Sequence, residues 1–191
     1  MNLPNKLTLL RVALVPVFLL FMYLEFLPHL WIALLVFILA SITDAVDGHL
    51  ARKNNQITTF GKFLDPLADK ILVCAALICF IEKSYVSALP VIIIIAREFM
   101  VSGLRLVTAG KGIVVAAGFM GKLKTVFQMI AIIFILFYHG LDEVFGHLLP
   151  QVLFKACDII ALVLIIACTV LALISGYQYL RDYWKHIDTN K

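Results

Sequence analysis

Six long apolar runs divide this chain, and they constrain its fold more than any other feature of the sequence. They lie at about residues 10–24, 30–43, 64–81, 89–107, 126–138 and 152–177. Hydrophobic residues make up 63% of the chain and charged residues only 15%, against about 25% charged residues in an ordinary water-soluble domain. We therefore expect an all-α, polytopic membrane protein with six transmembrane helices, forming a single integral-membrane domain over residues 1–191.

Some of these runs are shorter than the roughly 20 residues that a spanning helix needs. We expect the polar segments beside them to continue as helix. Residues 45–52 would then prolong the second helix, and residues 60–63 would begin the third. The polar ends of these two helices are where chemistry can reach water.

Four aspartates stand at those polar ends. Asp44 and Asp47 are three residues apart, and Asp65 and Asp69 are four apart, so each pair is expected to project from one face of its helix. An ionised Asp at mid-bilayer depth costs about 3 kcal/mol, so the four carboxylates need partners. If the two helices face each other, their hard oxygen atoms suit Mg²⁺ or Mn²⁺. Two such ions are suited to displacement at phosphorus.

The same aspartates have two other interpretations. Each could simply cap a helix or pair with a nearby base such as Arg52, Lys62 or Lys70. A cation or proton transporter would also place aspartates in membrane helices. A transporter, however, would not require the glycines and the arginine between the two pairs, nor both pairs at one end of the membrane.

The distribution of basic residues predicts the orientation of the chain. If the N-terminus is cytoplasmic, all of the 16 Lys and Arg residues except Lys83 and Lys155 fall on the inner side, as the positive-inside rule requires. The aspartates would then open to the cytoplasm. The net charge of +4 suits anionic membrane lipids at that face, and we expect no nucleic-acid partner for so apolar a chain.

The segment from Asp44 to Asp69 reads D-x2-D-G-x2-A-R-x8-G-x3-D-x3-D. It resembles the signature of the CDP-alcohol phosphatidyltransferases, a family of integral-membrane enzymes, at every required position. Gly48 and Gly61 leave room for a nucleotide to approach the backbone, and Arg52 can neutralise a pyrophosphate through bidentate hydrogen bonds. Taken alone, each glycine would fit helix packing equally well, since small residues are common between membrane helices.

The resemblance implies a six-helix fold, usually in a homodimer, with a nucleotide and two metal ions held on the cytoplasmic side. The metal-ligand positions of the family are occupied here by Asp44, Asp47, Asp65 and Asp69. The positions that contact CDP are occupied by Gly48, Arg52 and Gly61. The implied reaction is attack by an acceptor hydroxyl on the β-phosphorus of CDP-diacylglycerol, with CMP leaving and Asp69 also serving as the general base.

Four further segments resemble one bacterial branch of the family, the phosphatidylglycerophosphate synthases. These segments are residues 2–11, 96–98, 103–105 and 121–129. The resemblance implies sn-glycerol 3-phosphate as the acceptor and the bacterial inner membrane as the location. Because this acceptor is a dianion, four bases are candidates for binding its phosphate: Arg97, Arg105, Lys122 and Lys124.

These bases could instead lie at the membrane interface or set the topology, as Lys and Arg near helix ends usually do. Arg97 fits that interpretation poorly, because it stands about midway through an apolar run with Glu98 beside it. The acceptor also has an alternative, since another CDP-alcohol product, such as phosphatidylinositol phosphate, would use the same motif. A neutral alcohol would need no cluster of bases.

Overall fold

The computed structural model describes residues 3–24, 26–53, 59–110 and 118–183, with the backbone alone for residues 3–6, 44–53, 59–67, 69, 109–110 and 183. The described residues form six helices and no strand. The helices are α1 (Leu3–Tyr23), α2 (His29–Lys53), α3 (Thr59–Glu82), α4 (Ala88–Gly110), α5 (Phe119–Phe145) and α6 (Gln151–Tyr183). The predicted all-α class is confirmed, with one helix at each predicted apolar run.

Two of the helices in the described part of the chain are long and apolar enough to cross a membrane by themselves. They are α5, with 27 residues and a mean hydropathy of 1.7, and residues 151–182 of α6, with a mean hydropathy of 2.9. The length and composition of these two helices fit the predicted membrane protein. That all six helices cross the bilayer stays a prediction.

Two helices begin before the apolar runs of the sequence, because polar residues ahead of those runs are helical. α1 begins at Leu3 rather than at residue 10, and α5 begins at Phe119 rather than at residue 126. Hydropathy missed these turns because it scores polar residues as interruptions. In the structure Thr8 and Lys124, which lie in those turns, are almost fully buried.

The predicted continuation of helix through the aspartate motif is confirmed. α2 runs past Asp44 and Asp47 to Lys53, and α3 begins at Thr59, ahead of Asp65 and Asp69. Both pairs therefore occupy positions three or four residues apart on continuous helices.

The chain forms two compact units, each made from separate stretches of sequence. The first contains Met1–Tyr85 and Ile132–Asp158, and the second contains Val86–Ala131 and Ile159–Lys191. In the first unit α1 packs against both α2 and α3, and α2 also contacts α3. The second unit contains α4, the first half of α5 and most of α6.

Aromatic side chains fill the first unit. Phe18 of α1 and Phe37 of α2 are fully buried, with ring centroids 5.9 Å apart. Trp31 Nε1 donates a hydrogen bond to the carbonyl oxygen of Gly140 at 3.0 Å. A Cβ atom at Gly140 would lie 3.2 Å from that indole nitrogen, so a glycine here allows the close contact. Such packing matters in lipid, where association of helices depends on van der Waals contact and hydrogen bonds.

The second unit has a different core, because charged and polar side chains lie among its apolar ones. Val91, Ile94, Ala131 and Cys168 are fully buried there. The buried polar residues of the same unit are Arg97, Thr108, Lys124, Gln128 and Ser175. A buried polar group is costly unless it is paired, so these residues indicate where a functional site should be sought.

Candidate functional site

The aspartate motif belongs to the first unit. Its residues on α2 are Asp44, Asp47, Gly48 and Arg52, and its residues on α3 are Gly61, Asp65 and Asp69. Their side chains lie outside the described residues, so their predicted roles as metal ligands, CDP contacts and base stay predictions. The donor set itself suits a divalent cation, because four carboxylates on two contacting helices offer the hard oxygen atoms that Mg²⁺ and Mn²⁺ prefer.

A buried ion pair joins α4 to α5 in the second unit. Lys124 Nζ donates a hydrogen bond to Glu98 Oε1 at 2.6 Å, and Lys124 is completely buried. The ammonium group also donates to Gln128 Oε1, one turn further along α5. Because a buried lysine keeps its charge only beside acceptors, Glu98 and Gln128 explain how Lys124 can lie inside the unit.

Glu98 has a second cationic partner on its own helix. Arg97 Nη1 donates to the same Oε1 atom at 2.9 Å, and Arg97 Nε donates to Ser175 Oγ on α6 at 3.1 Å. One carboxylate and one arginine thus connect the three helices of this unit through charge-assisted hydrogen bonds. Such bonds are shorter and stronger than those between neutral groups.

Two glycines make room for the Arg97 side chain. A Cβ atom at Gly121 of α5 would lie 3.3 Å from Arg97 Nη2, and one at Gly176 of α6 would lie 3.3 Å from Arg97 Cγ. Both distances are tighter than ordinary van der Waals contact, so a larger residue at either position would require the arginine side chain to shift. By contrast, no described atom lies within 4 Å of the Cβ position at Gly103.

Arg105 lies two turns after Arg97 on α4, and Tyr179 of α6 contacts both guanidinium groups. Arg105 Nη2 donates to Tyr179 Oη at 2.5 Å. The ring centroid of Tyr179 is 5.2 Å from Arg105 Cζ and 5.7 Å from Arg97 Cζ. These distances are within the range of cation–π attraction.

Three of the four predicted acceptor-binding bases therefore gather in one cluster. Arg97 and Lys124 share Glu98, and Arg105 joins them through Tyr179. Lys122 is exposed, and its position two residues before Lys124 places it on a different face of α5. Among the described groups of this cluster, three cations meet one carboxylate, which leaves a formal excess of two positive charges.

Sequence reasoning missed several members of this cluster. It noted Glu98 beside Arg97 but gave the carboxylate no partner on α5, and it assigned no role to Gln128, Ser175 or Tyr179. The spacing of four residues between Lys124 and Gln128 was an available signal, because such residues are neighbours on a helix. Ser175 lies 78 residues from Arg97, a separation at which no sequence pattern indicates a contact.

Comparison with known proteins extends the likeness to both units. Residues 1–174 match the family described as CDP-alcohol phosphatidyltransferase. A Bacillus subtilis protein named CDP-diacylglycerol–glycerol-3-phosphate 3-phosphatidyltransferase is 45% identical over 202 residues, covering 99% of this chain and 98% of its own. Proteins with the same name are 39% identical in Rickettsia bellii, over 97% of each chain, and 45% identical in Salmonella typhimurium, over 71% of this chain and 76% of that one.

The buried ion pair yields a prediction about stability. Glu98→Ala leaves the buried Lys124 without its carboxylate, and breaking such a pair typically costs about 3–5 kcal/mol. We expect a large fall in the midpoint of thermal unfolding, measured in detergent by intrinsic fluorescence. The double variant Glu98→Ala, Lys124→Met should recover much of that loss, because replacing a whole buried pair by apolar groups is often nearly neutral.

Lys122→Met is the matched control, since it removes an exposed lysine from the same helix and should change the unfolding free energy by no more than about 0.5 kcal/mol. If the double variant is instead as unstable as the sum of the two single variants, Glu98 and Lys124 do not stabilise each other.

Proposed function

Because the chain belongs to the CDP-alcohol phosphatidyltransferase family, we propose that it transfers the phosphatidyl group from CDP-diacylglycerol to sn-glycerol 3-phosphate. The products are phosphatidylglycerophosphate and CMP, and the reaction is a step of phospholipid biosynthesis. The observation that carries this proposal is the 45% identity, over nearly the whole chain, to a relative named for that activity.

The chemistry is a displacement at phosphorus. A hydroxyl oxygen of the acceptor forms a bond to the β-phosphorus of CDP-diacylglycerol, and the bond from that phosphorus to the bridging oxygen breaks, so that CMP leaves. Asp69 accepts the hydroxyl proton as general base. Arg52 neutralises the pyrophosphate through bidentate contacts, while Gly48 and Gly61 let the nucleotide approach the backbone.

A metal requirement is part of the proposal. Asp44, Asp47, Asp65 and Asp69 would hold two Mg²⁺ or Mn²⁺ ions. When bound, such ions offset the repulsion between the carboxylates and the pyrophosphate and stabilise the charge that develops during displacement. The support is the donor set and its placement on two contacting helices.

The cluster in the second unit supports a phosphorylated acceptor. Arg97 and Lys124 share a single carboxylate, Glu98, and Arg105 joins them through Tyr179. The resulting excess of positive charge suits a phosphate dianion. Exposed Lys122, at the start of the same helix as Lys124, adds a further cation. A neutral acceptor such as inositol carries no charge to balance these cations. Its binding would not offset the free-energy cost of bringing them together.

We also propose the setting in which the reaction occurs. The distribution of Lys and Arg supports an orientation with the site facing the cytoplasm. The resemblance to a bacterial branch of the family supports a location in the inner membrane of a bacterium. The family resemblance supports a homodimer. Crosslinking of the protein in intact membranes, followed by denaturing electrophoresis, would test the homodimer.

The choice of acceptor is the first functional prediction. Purified protein given CDP-diacylglycerol and Mg²⁺ should release CMP rapidly with sn-glycerol 3-phosphate. Glycerol, inositol and inositol phosphate should give little or no release, because the first two lack the phosphate and the third differs in shape around the reacting hydroxyl. Faster CMP release with inositol phosphate than with glycerol 3-phosphate would assign the protein to a different branch of the family.

Metal dependence and Asp69 are tested together. Excess EDTA should stop CMP release, and added Mg²⁺ or Mn²⁺ should restore it, because the acidic motif and the pyrophosphate otherwise repel each other. Asp69→Asn should abolish turnover while the protein stays folded and inserted in the membrane. Thermal unfolding in detergent reports the fold independently.

Asp182→Asn is the control for that variant, since Asp182 is an exposed carboxylate on α6 outside the motif, and its activity should match the parent protein. Undiminished CMP release in EDTA would remove the metal from the reaction. Substantial turnover by Asp69→Asn at saturating Mg²⁺ would remove Asp69 from the role of base.

The bases predicted to bind the acceptor phosphate give a separate kinetic test. Arg105→Ala and Lys122→Ala should each raise the KM for glycerol 3-phosphate by roughly 10- to 100-fold, if each side chain makes one charge-assisted phosphate contact worth about 1.5–3 kcal/mol. The KM for CDP-diacylglycerol should change little. Lys155→Ala, which removes an exposed lysine of α6 on the predicted outer side, is the matched control. Equal impairment with both substrates would contradict a dedicated phosphate pocket.

A further inference from the structure

Tyr179, to which sequence reasoning assigned no role, contacts two bases of the cluster, Arg97 and Arg105. We propose that Tyr179 is a positioning residue for the acceptor: its hydroxyl oxygen and its ring hold the Arg105 guanidinium in the direction needed to bind the acceptor phosphate. The inference rests on the proposed function and concerns the same site.

The hydroxyl group of Tyr179 connects the three helices of the second unit. Tyr179 Oη, on α6, accepts a hydrogen bond from Arg105 Nη2 of α4 at 2.5 Å. It also accepts one from the backbone nitrogen of Gly118 at 3.2 Å, and Gly118 immediately precedes α5. The phenolic oxygen has two lone pairs, so it can accept both bonds at once. One atom thus couples Arg105 to the start of the helix that carries Lys122 and Lys124.

The ring of Tyr179 adds a second contact to the same arginine. Arg105 Cζ lies 5.2 Å from the ring centroid, and Arg97 Cζ lies 5.7 Å from it. The negative potential of the ring face attracts both cations. It therefore lowers the cost of keeping two like charges near each other when no anion is bound.

The surroundings of Tyr179 leave it little freedom. The residue is 6% exposed and packs against Val101 and Met100 of α4. A Cβ atom at Gly121 of α5 would lie 3.6 Å from Tyr179 Cε2 and 3.9 Å from Tyr179 Oη. Because its own rotamer is held by packing, Tyr179 can restrict the rotamer of a longer and otherwise mobile side chain.

Arg105 is suited to being held in this way. Its side chain is exposed although one of its nitrogens is bonded to Tyr179. A guanidinium carries five N–H donors, so one bond to the tyrosine leaves capacity for bidentate recognition of a phosphate. An arginine that is already oriented loses less conformational entropy on binding than a free one. The benefit should therefore appear in the KM for the phosphorylated substrate.

Tyr179→Phe separates the hydroxyl from the rest of the residue, because it keeps the ring and its packing. We expect the KM for glycerol 3-phosphate to rise about tenfold, as befits the loss of one hydrogen bond to a charged group. The KM for CDP-diacylglycerol and kcat should each stay within about twofold of the parent values. Tyr177→Phe is the matched control, since Tyr177 is an exposed tyrosine on the same helix, and all three values should be unchanged in it.

A double-variant cycle asks whether Tyr179 acts through Arg105. If it does, Tyr179→Phe should add almost nothing to the rise in KM that Arg105→Ala already causes. Independent, additive effects in the double variant would overturn the proposal. So would an equal rise in KM for both substrates, or loss of folding in Tyr179→Phe, because each would show that the hydroxyl supports the bundle as a whole.

Failure of the proposal for Tyr179 can be distinguished from failure of the proposed function. If the parent protein does not release CMP with glycerol 3-phosphate, the proposed acceptor is wrong. If the parent protein is active and Tyr179→Phe binds glycerol 3-phosphate as well as the parent does, only the role of Tyr179 is refuted.

Discussion

The carboxylate of Glu98 is the group on which the arrangement of the second unit depends. Lys124 is completely buried, and an isolated buried ammonium would lose its charge or leave the bundle. Glu98 accepts hydrogen bonds from Lys124 and Arg97 through a single oxygen atom. This ion pair therefore connects α4 to α5, and Arg97 extends the connection to Ser175 on α6.

Small residues decide how closely the helices can approach these charges. Without a hydrophobic driving force in lipid, membrane helices associate through close packing and interhelical hydrogen bonds. Gly121 and Gly176 supply the closeness, since a Cβ atom at either would press against Arg97. The glycines and the charged residues are thus complementary. The glycines allow the helix backbones to come near Arg97. The hydrogen bonds of the charged residues hold α5 and α6 against α4.

The sequence predicted the helices better than it predicted which side chains contact each other. Apolar runs located all six helices in the described part of the chain, and the aspartate motif correctly extended α2 and α3 as helix. α1 and α5 begin about two turns before their apolar runs, and the polar residues Thr8 and Lys124 in those turns are almost fully buried. Arg97 could be singled out by its place within an apolar run. The contacts of Arg97 with Ser175 and of Arg105 with Tyr179 could not be predicted. Their partners are 78 and 74 residues apart in the sequence and meet only in the tertiary fold.

The single carboxylate among the bases also bears on catalysis. Three uncompensated cations would repel one another in an apolar bundle and would bind any phosphate strongly, before and after reaction alike. Uniformly tight binding of substrate and product does not accelerate the chemical step. With Glu98 in place, the cluster keeps an excess of two positive charges for a dianion, while Arg97 and Lys124 each keep an anionic partner when no dianion is bound. If the cluster binds the acceptor phosphate, as proposed, Glu98 therefore moderates its affinity for that phosphate while holding Arg97 and Lys124 in place.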